Sequence, residues 1–359
     1  MPINLVQRGK EGEEDKPVER MITGLHSLDW SFADKQGNAG LPLRNITEIT
    51  GDEGIGKTSV ALSLAGLVAA KYGRNITLID FERQNADTIK GCLDSVGFNG
   101  DVDWCTYIWE EEEKKKTKTR SEDILDISTK KCYQRSPDVI IIDSMAAFTP
   151  TAIYEGDLGD ANMGIHAKTV KTWFRRTLRP VLSNPDPTVV FYTNHTHPKI
   201  GGGFKSFGPP PMESAGGRAV GFLSTQAIDL KRLYGYDYPD QHGWVLEGKI
   251  AKNRDGYGKE SKNSFYVYMQ AGEGINKNLT AMFDCIMSAQ ELASVTSGVV
   301  SLDGQKMQRV TKMIEQRHDN SIFEPFHNAL RAAALTPSQP DDDETPKKKS
   351  KKKSADEET

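Results

Sequence analysis

No apolar run in this chain reaches the roughly 18 residues that span a bilayer, so no transmembrane helix is expected. Cysteine is scarce, and Cys92, Cys105, Cys132 and Cys285 stand far apart, with no C-x-x-C pair and no His cluster at zinc spacing. Structural disulfides and zinc are therefore not expected. The opening residues, Met-Pro-Ile-Asn-Leu-Val-Gln-Arg, lack the apolar core of a signal peptide and pass quickly into charge, which points to the cytoplasm. A dominant charge sign is also missing. With 46 basic and 50 acidic residues the net charge is −4, so any polyanion-binding surface has to be local.

What is present is a composition of 37% hydrophobic and 27% charged residues over 359 positions, enough for one large domain with a small addition. Residues 1–20 read as a polar arm in which Ile3–Val6 is the part able to order. From 21 to 275, short β-rich runs alternate with helical patterns, the signature of an α/β fold with a mostly parallel sheet flanked by helices. The first strands are expected at Asn45–Thr50, Ile76–Asp80, Asp138–Asp143 and Thr188–Thr193, each a continuous apolar or β-branched run suited to burial on both faces. Thr225–Arg232, Trp244–Arg254 and Ser264–Gln270 read as an antiparallel extension at one edge. Residues 276–335 read as a small, mostly helical C-terminal module. The charge block at 110–120 reads as a solvated surface segment, and 336–359, with its Asp-Asp-Asp-Glu and two lysine triplets, as a disordered tail.

Gly51-Asp52-Glu53-Gly54-Ile55-Gly56-Lys57-Thr58, followed by Ser59, matches G-x-x-x-x-G-K-[ST]. It lies between an expected strand and an expected helix, the context in which such a loop wraps phosphates with its backbone N–H groups. Lys57 would reach the β- and γ-phosphates of ATP, and Thr58 would ligate Mg²⁺. Val139-Ile-Ile-Ile-Asp143 is an apolar strand ending in an acid, suited to holding the metal's water shell. Hydrolysis also needs a group to activate water. Glu82, just past the strand Ile76–Asp80, is assigned that role, with Asp80 as the competitor at the same strand end.

With these motifs in this order the chain resembles the RecA family of recombinases over about residues 20–275. The resemblance rests further on Ile22-Thr-Gly-Leu-His-Ser-Leu-Asp, on Gly40-Leu-Pro-Leu-Arg-Asn-Ile-Thr-Glu-Ile, and on Asp143-Ser-Met-Ala-Ala-Phe-Thr-Pro with Glu155 to Gly164. It implies a DNA-dependent ATPase that polymerises on single-stranded DNA, pairs it with homologous duplex and exchanges strands. Single-strand-binding and loader proteins are implied as helpers. The setting would be a bacterial cytoplasm or nucleoid, or a host cytoplasm, since His195 resembles the viral recombinases where bacterial relatives carry a Gln that senses the γ-phosphate.

By the same resemblance, Met163 and Gly164 fall in a first DNA loop, with Lys168 and Arg175 on the helix behind it. His197 to Gly221 forms a second DNA loop, about 25 residues without regular structure. In it Lys199, Lys205 and Arg218 would neutralise phosphates, Ile200 and Phe204 would contact bases, and Gly216 and Gly217 would allow close approach. Lys252 and Arg254 would reach the ATP of a neighbouring subunit, which makes the active form a filament. Phe222 matches the family's cross-subunit aromatic, although as a bare sequence feature it reads as a core Phe. The N-terminal Ile3-Asn-Leu-Val-Gln-Arg would dock on an adjacent subunit. Asp87 is a candidate contact for adenine. Two other readings stay open: a hexameric helicase or other ring ATPase on the same core, and a structural DNA-binding filament protein with a vestigial ATPase.

Overall fold

The computed structural model describes residues 18–106, 120–157, 164–198, 212–233, 243–256, 264–287 and 292–334. Met163, Lys199, Ile200, Phe204 and Lys205 lie outside these residues. So do nearly all of the N-terminal arm and of the 110–120 block, and the whole charged tail.

The chain opens with β1 (Arg20–Met21), α1 (His26–Ser31) and β2 (Leu41–Pro42), then β3 (Asn45–Gly51), α2 (Lys57–Tyr72), β4 (Ile76–Asp80), α3 (Ala86–Asp94), β5 (Val102–Thr106), α4 (Ser121–Cys132) and β6 (Val139–Asp143). It continues through α5 (Thr151–Tyr154), α6 (Ile165–Ser183), β7 (Val189–Thr193), β8 (Thr196–Pro198), β9 (Met212–Ser214), α7 (Arg218–Leu223), β10 (Gln226–Arg232), β11 (Gly243–Asn253), β12 (Ser264–Gln270) and β13 (Gly274–Ile275). One nine-stranded sheet has the order β13-β12-β11-β10-β3-β7-β6-β4-β5. Its strands from β10 to β5 run parallel, and β10 through β13 pair antiparallel. The fold is therefore α/β with a mixed, mostly parallel sheet, as the strand pattern implies.

The two faces of the sheet are covered differently, and each helix's sequence says why. α2 is apolar nearly all round, Val-Ala-Leu-Ser-Leu-Ala-Gly-Leu-Val-Ala-Ala, and its residues Val60–Ala69 are buried between the sheet and α3. α6 on the other face is one-sided. Val170, Trp173, Phe174 and Thr177 recur at helical spacing and pack on the sheet, while Lys168, Lys171, Arg175 and Arg179 stay exposed. Burying a side chain the size of Phe174 contributes roughly 2–3 kcal/mol, so this face rather than the basic one fixes the helix.

Two expectations need correction. The second loop is not irregular to its ends, because Thr196↔Ser214 and Pro198↔Met212 pair as an antiparallel stem and α7 begins at Arg218. Pairing the stem satisfies backbone groups that a loop leaving a buried strand would otherwise orphan. The C-terminal module also holds more than α8 (Lys277–Met287), α9 (Val310–Glu315) and α10 (Asn320–Ala334). A meander, β14 (Ala293–Thr296), β15 (Val299–Leu302) and β16 (Gln305–Arg309), packs Ala293, Val300 and Leu302 on the module's own core. Its strands are four or five residues long, too short for alternation to declare itself in sequence.

Candidate nucleotide site

The loop after β3 owes its shape to two glycines. Gly51 sits at φ 147°, and a Cβ there would lie 2.7 Å from the Leu230 carbonyl oxygen. Gly56, left-handed at φ 110°, turns the chain into α2. Ile55 is buried in the core and its carbonyl accepts from Trp244 Nε1 at 3.1 Å, so it anchors the loop. Lys57 Nζ donates back to the carbonyls of Gly51 and Asp52 at 3.0 and 2.9 Å. Burial lowers its pKa, opposed by the charges of Glu82 and Asp143.

The carboxyl ends of β4 and β6 bring three acids, Asp80, Glu82 and Asp143, to the other side of this loop, with Thr193 of β7 beside them, and their hydrogen bonds sort their roles. Thr58 Oγ1 donates to Asp143 Oδ2 at 2.9 Å, and Thr193 Oγ1 donates to Asp143 Oδ1. Burial pushes the Asp143 carboxyl up to about 6, with Glu82 and Asp80 adding repulsion and the two threonines opposing it. Asp80 is fully committed, accepting from the N–H groups of Glu82 and Gln84 and from Trp104 Nε1 at 3.0, 2.7 and 3.0 Å. It holds the turn. Glu82 keeps a partly exposed carboxylate that accepts from Ser144 Oγ and lies 3.6 Å from His195 Nε2. Of the two competing acids, Glu82 lines the cleft and Asp80 does not.

Lys57, Thr58, Ser59, Glu82, Asp143 and His195 line one cleft of about 650 Å³, a volume suited to a nucleotide. Glu53, Gly54 and Gly56 line it as well, whereas Gly51, Asp52 and Ile55 do not. Its far wall comes from Trp244, Met269, Gln270, Ala271 and Gly272, on the antiparallel extension. The sequence left this wall unassigned, because nothing local marks a β-turn as facing a loop that precedes it by so many residues. Asp87 does not line the cleft; it is exposed in the first turn of α3, where Asn85 Oδ1 accepts from its N–H. Among the described residues no group of three or more His, Cys, Asp or Glu is arranged to hold a metal unaided. A Mg²⁺ ion arriving with phosphates needs only one or two protein ligands, and Thr58 with Asp143 is a fitting oxygen pair.

Beyond the cleft, β7 runs straight into the second loop. The His195 carbonyl accepts from Ala215 N at 2.9 Å, and Asn194 Nδ2 donates to the Ala215 carbonyl at 3.0 Å and to Glu48 Oε1 at 2.8 Å. Glu48, in the interior of β3 and only 4% exposed, was missed by the sequence reading. Its signal was an acid inside an otherwise apolar strand. Burial raises its pKa, and bonds from Asn194 and Ser214 together with the charge of Lys252 oppose the rise.

Lys252 and Arg254 do not line this chain's own cleft. Lys252 Nζ donates to the carbonyls of Gly221, Phe222 and Ser224 at 2.7, 3.1 and 2.5 Å, and Arg254 donates to the Phe222 carbonyl at 2.6 Å. Phe222 itself is 73% exposed, so the reading of it as a core residue is wrong. Gly216 and Gly217 take left-handed φ of 91° and 71° on the way into α7, and Gly164, at φ 84°, caps α6.

Comparison with known proteins gives a consistent picture. Residues 4–257 match the family of the RecA N-terminal domain. A curated relative, Protein RecA of a Nitratiruptor species, is 32% identical over 241 residues, covering 67% of this chain and 63% of the relative. Protein RecA of Saccharopolyspora erythraea is 32% identical over 246 residues, covering 68% of this chain and 64% of the relative. The aligned part is thus under two thirds of either relative's own length.

Proposed function

The chain belongs to the RecA family, and on that premise we propose that it is an ATP-dependent recombinase that coats single-stranded DNA, pairs it with a homologous duplex and exchanges strands. The observation that carries this reading is the contact between Glu82 and His195 at 3.6 Å, with the His195 carbonyl bonded to Ala215 at the base of the second loop. A water-activating acid past β4 and a DNA-facing loop past β7 then meet at the carboxyl edge of the sheet. A filament protein with a vestigial ATPase gives no reason to keep the Glu82 carboxylate facing the cleft beside His195.

In this reading ATP and Mg²⁺ supply the phosphoryl group and the charge that stabilises its transfer. Lys57 leaves the loop carbonyls for the phosphates, Thr58 and Asp143 serve the metal, and Glu82 accepts the proton of the attacking water. His195 meets the terminal phosphate from the β7 side and passes its position to the loop stem. Lys252 and Arg254 complete the site of a neighbouring subunit, where the fork of Arg254 suits a γ-phosphate. Lys168, Arg175 and Arg218, with Lys199 and Lys205, hold the DNA backbone, and Gly164, Gly216 and Gly217 let it approach. Met163, Ile200 and Phe204 contact bases. The N-terminal Ile3–Val6 strand docks on the next subunit, and single-strand-binding or loader proteins assist assembly.

Phosphate release measured with and without single-stranded DNA tests the proposal, followed by strand exchange between a circular single strand and a linear duplex. DNA should stimulate hydrolysis and joint molecules should form. Hydrolysis indifferent to DNA would favour the filament reading, and unwinding without exchange the helicase.

A further inference from the structure

A second cleft, of about 680 Å³, opens where the C-terminal module meets the core, bounded by the start of α8, the 317–321 turn and α10. Lys277 and His327, both half-buried, sit within it, and Arg317, His318 and Arg331 stand around them. Its shape is fixed from within, because Asn278 Nδ2 donates to both the Arg317 carbonyl and Asn320 Oδ1 at 2.9 Å.

Positive charge here is poorly compensated. Glu273 pairs with Arg317 at 2.9 Å and lies 3.9 Å from His318, and Glu324 lines the cleft. Among the described residues neither Lys277 nor Arg331 forms an ion pair, and Arg331 donates to the Asn328 side chain instead. The crowding registers on the neighbours. Burial lowers His327, and the charges of Arg331 and Lys277 lower it further. Burial, then His327 and Arg331, take His26 on α1 down to about 4, its ring 5.9 Å from that of His327. A half-buried Lys277 with no ion-pair partner among the described residues, flanked by the more exposed Arg331, is unfavourable alone and relieved by an anion.

We propose that this cleft is a phosphate-binding site in which Lys277 and Arg331 provide the charge and Arg317, its Nε and Nη2 held by Glu273, turns its remaining Nη1 donors to phosphate oxygens. The volume exceeds what one phosphate fills and suits a group carrying two or three, free or as neighbouring phosphates of a nucleic-acid backbone. It is separate from the ATP cleft, which lies on the other side of the 271–274 turn.

Inorganic pyrophosphate is the probe, titrated without Mg²⁺ into the full chain carrying Lys57→Ala, so that binding at the ATP loop is removed. Calorimetry should find one remaining site. Adding Lys277→Gln with Arg331→Gln should weaken it roughly tenfold or more, whereas Glu324→Gln should tighten it about threefold. The ring Cε1–H signal of His327 should shift during the titration. No binding to the Lys57→Ala chain, or binding that ignores both sets of substitutions, overturns the proposal. If the double substitution unfolds the module, the Glu324→Gln response and the His327 signal decide it. A short duplex that displaces pyrophosphate would identify backbone phosphate as the natural ligand, and simultaneous binding would identify a free polyphosphate.

Discussion

The two halves of the proposed ATP site are built differently. At the carboxyl ends of β3, β4, β6 and β7 most of the polar side chains hold one another, Thr58 and Thr193 bonding Asp143 and Ser144 bonding Glu82, while Lys57 alone rests on loop carbonyls. At the end of β11, Lys252 and Arg254 rest on backbone carbonyls at the C-terminus of α7, beside an exposed Phe222. The first half is built around the buried Lys57 and Asp143, with all its groups from one chain. The second ends on the exposed Arg254 beside a half-buried Lys252, and its cations occupy a position favourable for any positive charge, the negative end of a short helix. Such cations can be transferred to a phosphate at modest cost, which fits a half-site that awaits a neighbour.

The largest effect should come from breaking the exposed half. Lys252→Ala with Arg254→Ala should lower DNA-stimulated hydrolysis by about 10³ or more while nucleotide binding to the unassembled chain stays unchanged. Fluorescent-nucleotide titration and phosphate release check the two arms, and loss of binding by the unassembled chain would erase the division between halves. In the buried half, Glu82→Gln should cut turnover by roughly 10²–10⁴ and leave binding intact, because the amide keeps the shape and loses the base.

A third test concerns what the buried half costs the fold. Asp143 has its pKa raised from 3.8 to about 6, so its favourable contribution is present below about pH 4 and lost as pH rises through 6. Asp143→Asn should therefore stabilise the nucleotide-free protein above pH 6, on the order of 2 kcal/mol, and flatten stability between pH 4 and 6. Denaturant midpoints across that range check it. The smallest effect on stability belongs to the exposed half. Phe222→Ala should change the unfolding free energy by less than about 0.5 kcal/mol yet reduce self-association by light scattering. A large loss of stability would mean that Phe222 is packed within its own chain.

Much of this was legible before the structure. The strand Ile76–Asp80 and the loop Gly51–Thr58 stand where their patterns put them, because a buried parallel strand and a phosphate loop are both fixed by local residue type. Glu48 and Asn194 were passed over because their partners come from distant segments. For Phe222 only the bare residue type pointed to the core, since an apolar residue in sequence carries no mark of the surface it will occupy, whereas the family resemblance set it at a subunit interface. The wall from Trp244 to Gly272 was invisible for the same reason. It exists only because β11 and β12 extend the sheet antiparallel beyond β10, which pairs with β3.

What the sequence determined by itself is the α/β alternation, the glycine-shaped loop and the acids at strand ends, all consequences of periodicity and backbone geometry over a few residues. The tertiary structure alone decided which acid lines the cleft, Asp80 being used up by three donors and Glu82 left facing it. It also decided that Lys252 and Arg254 turn away from their own site. Those outcomes depend on which distant groups meet, and sheet order and packing settle that, not the spacing of residues along the chain.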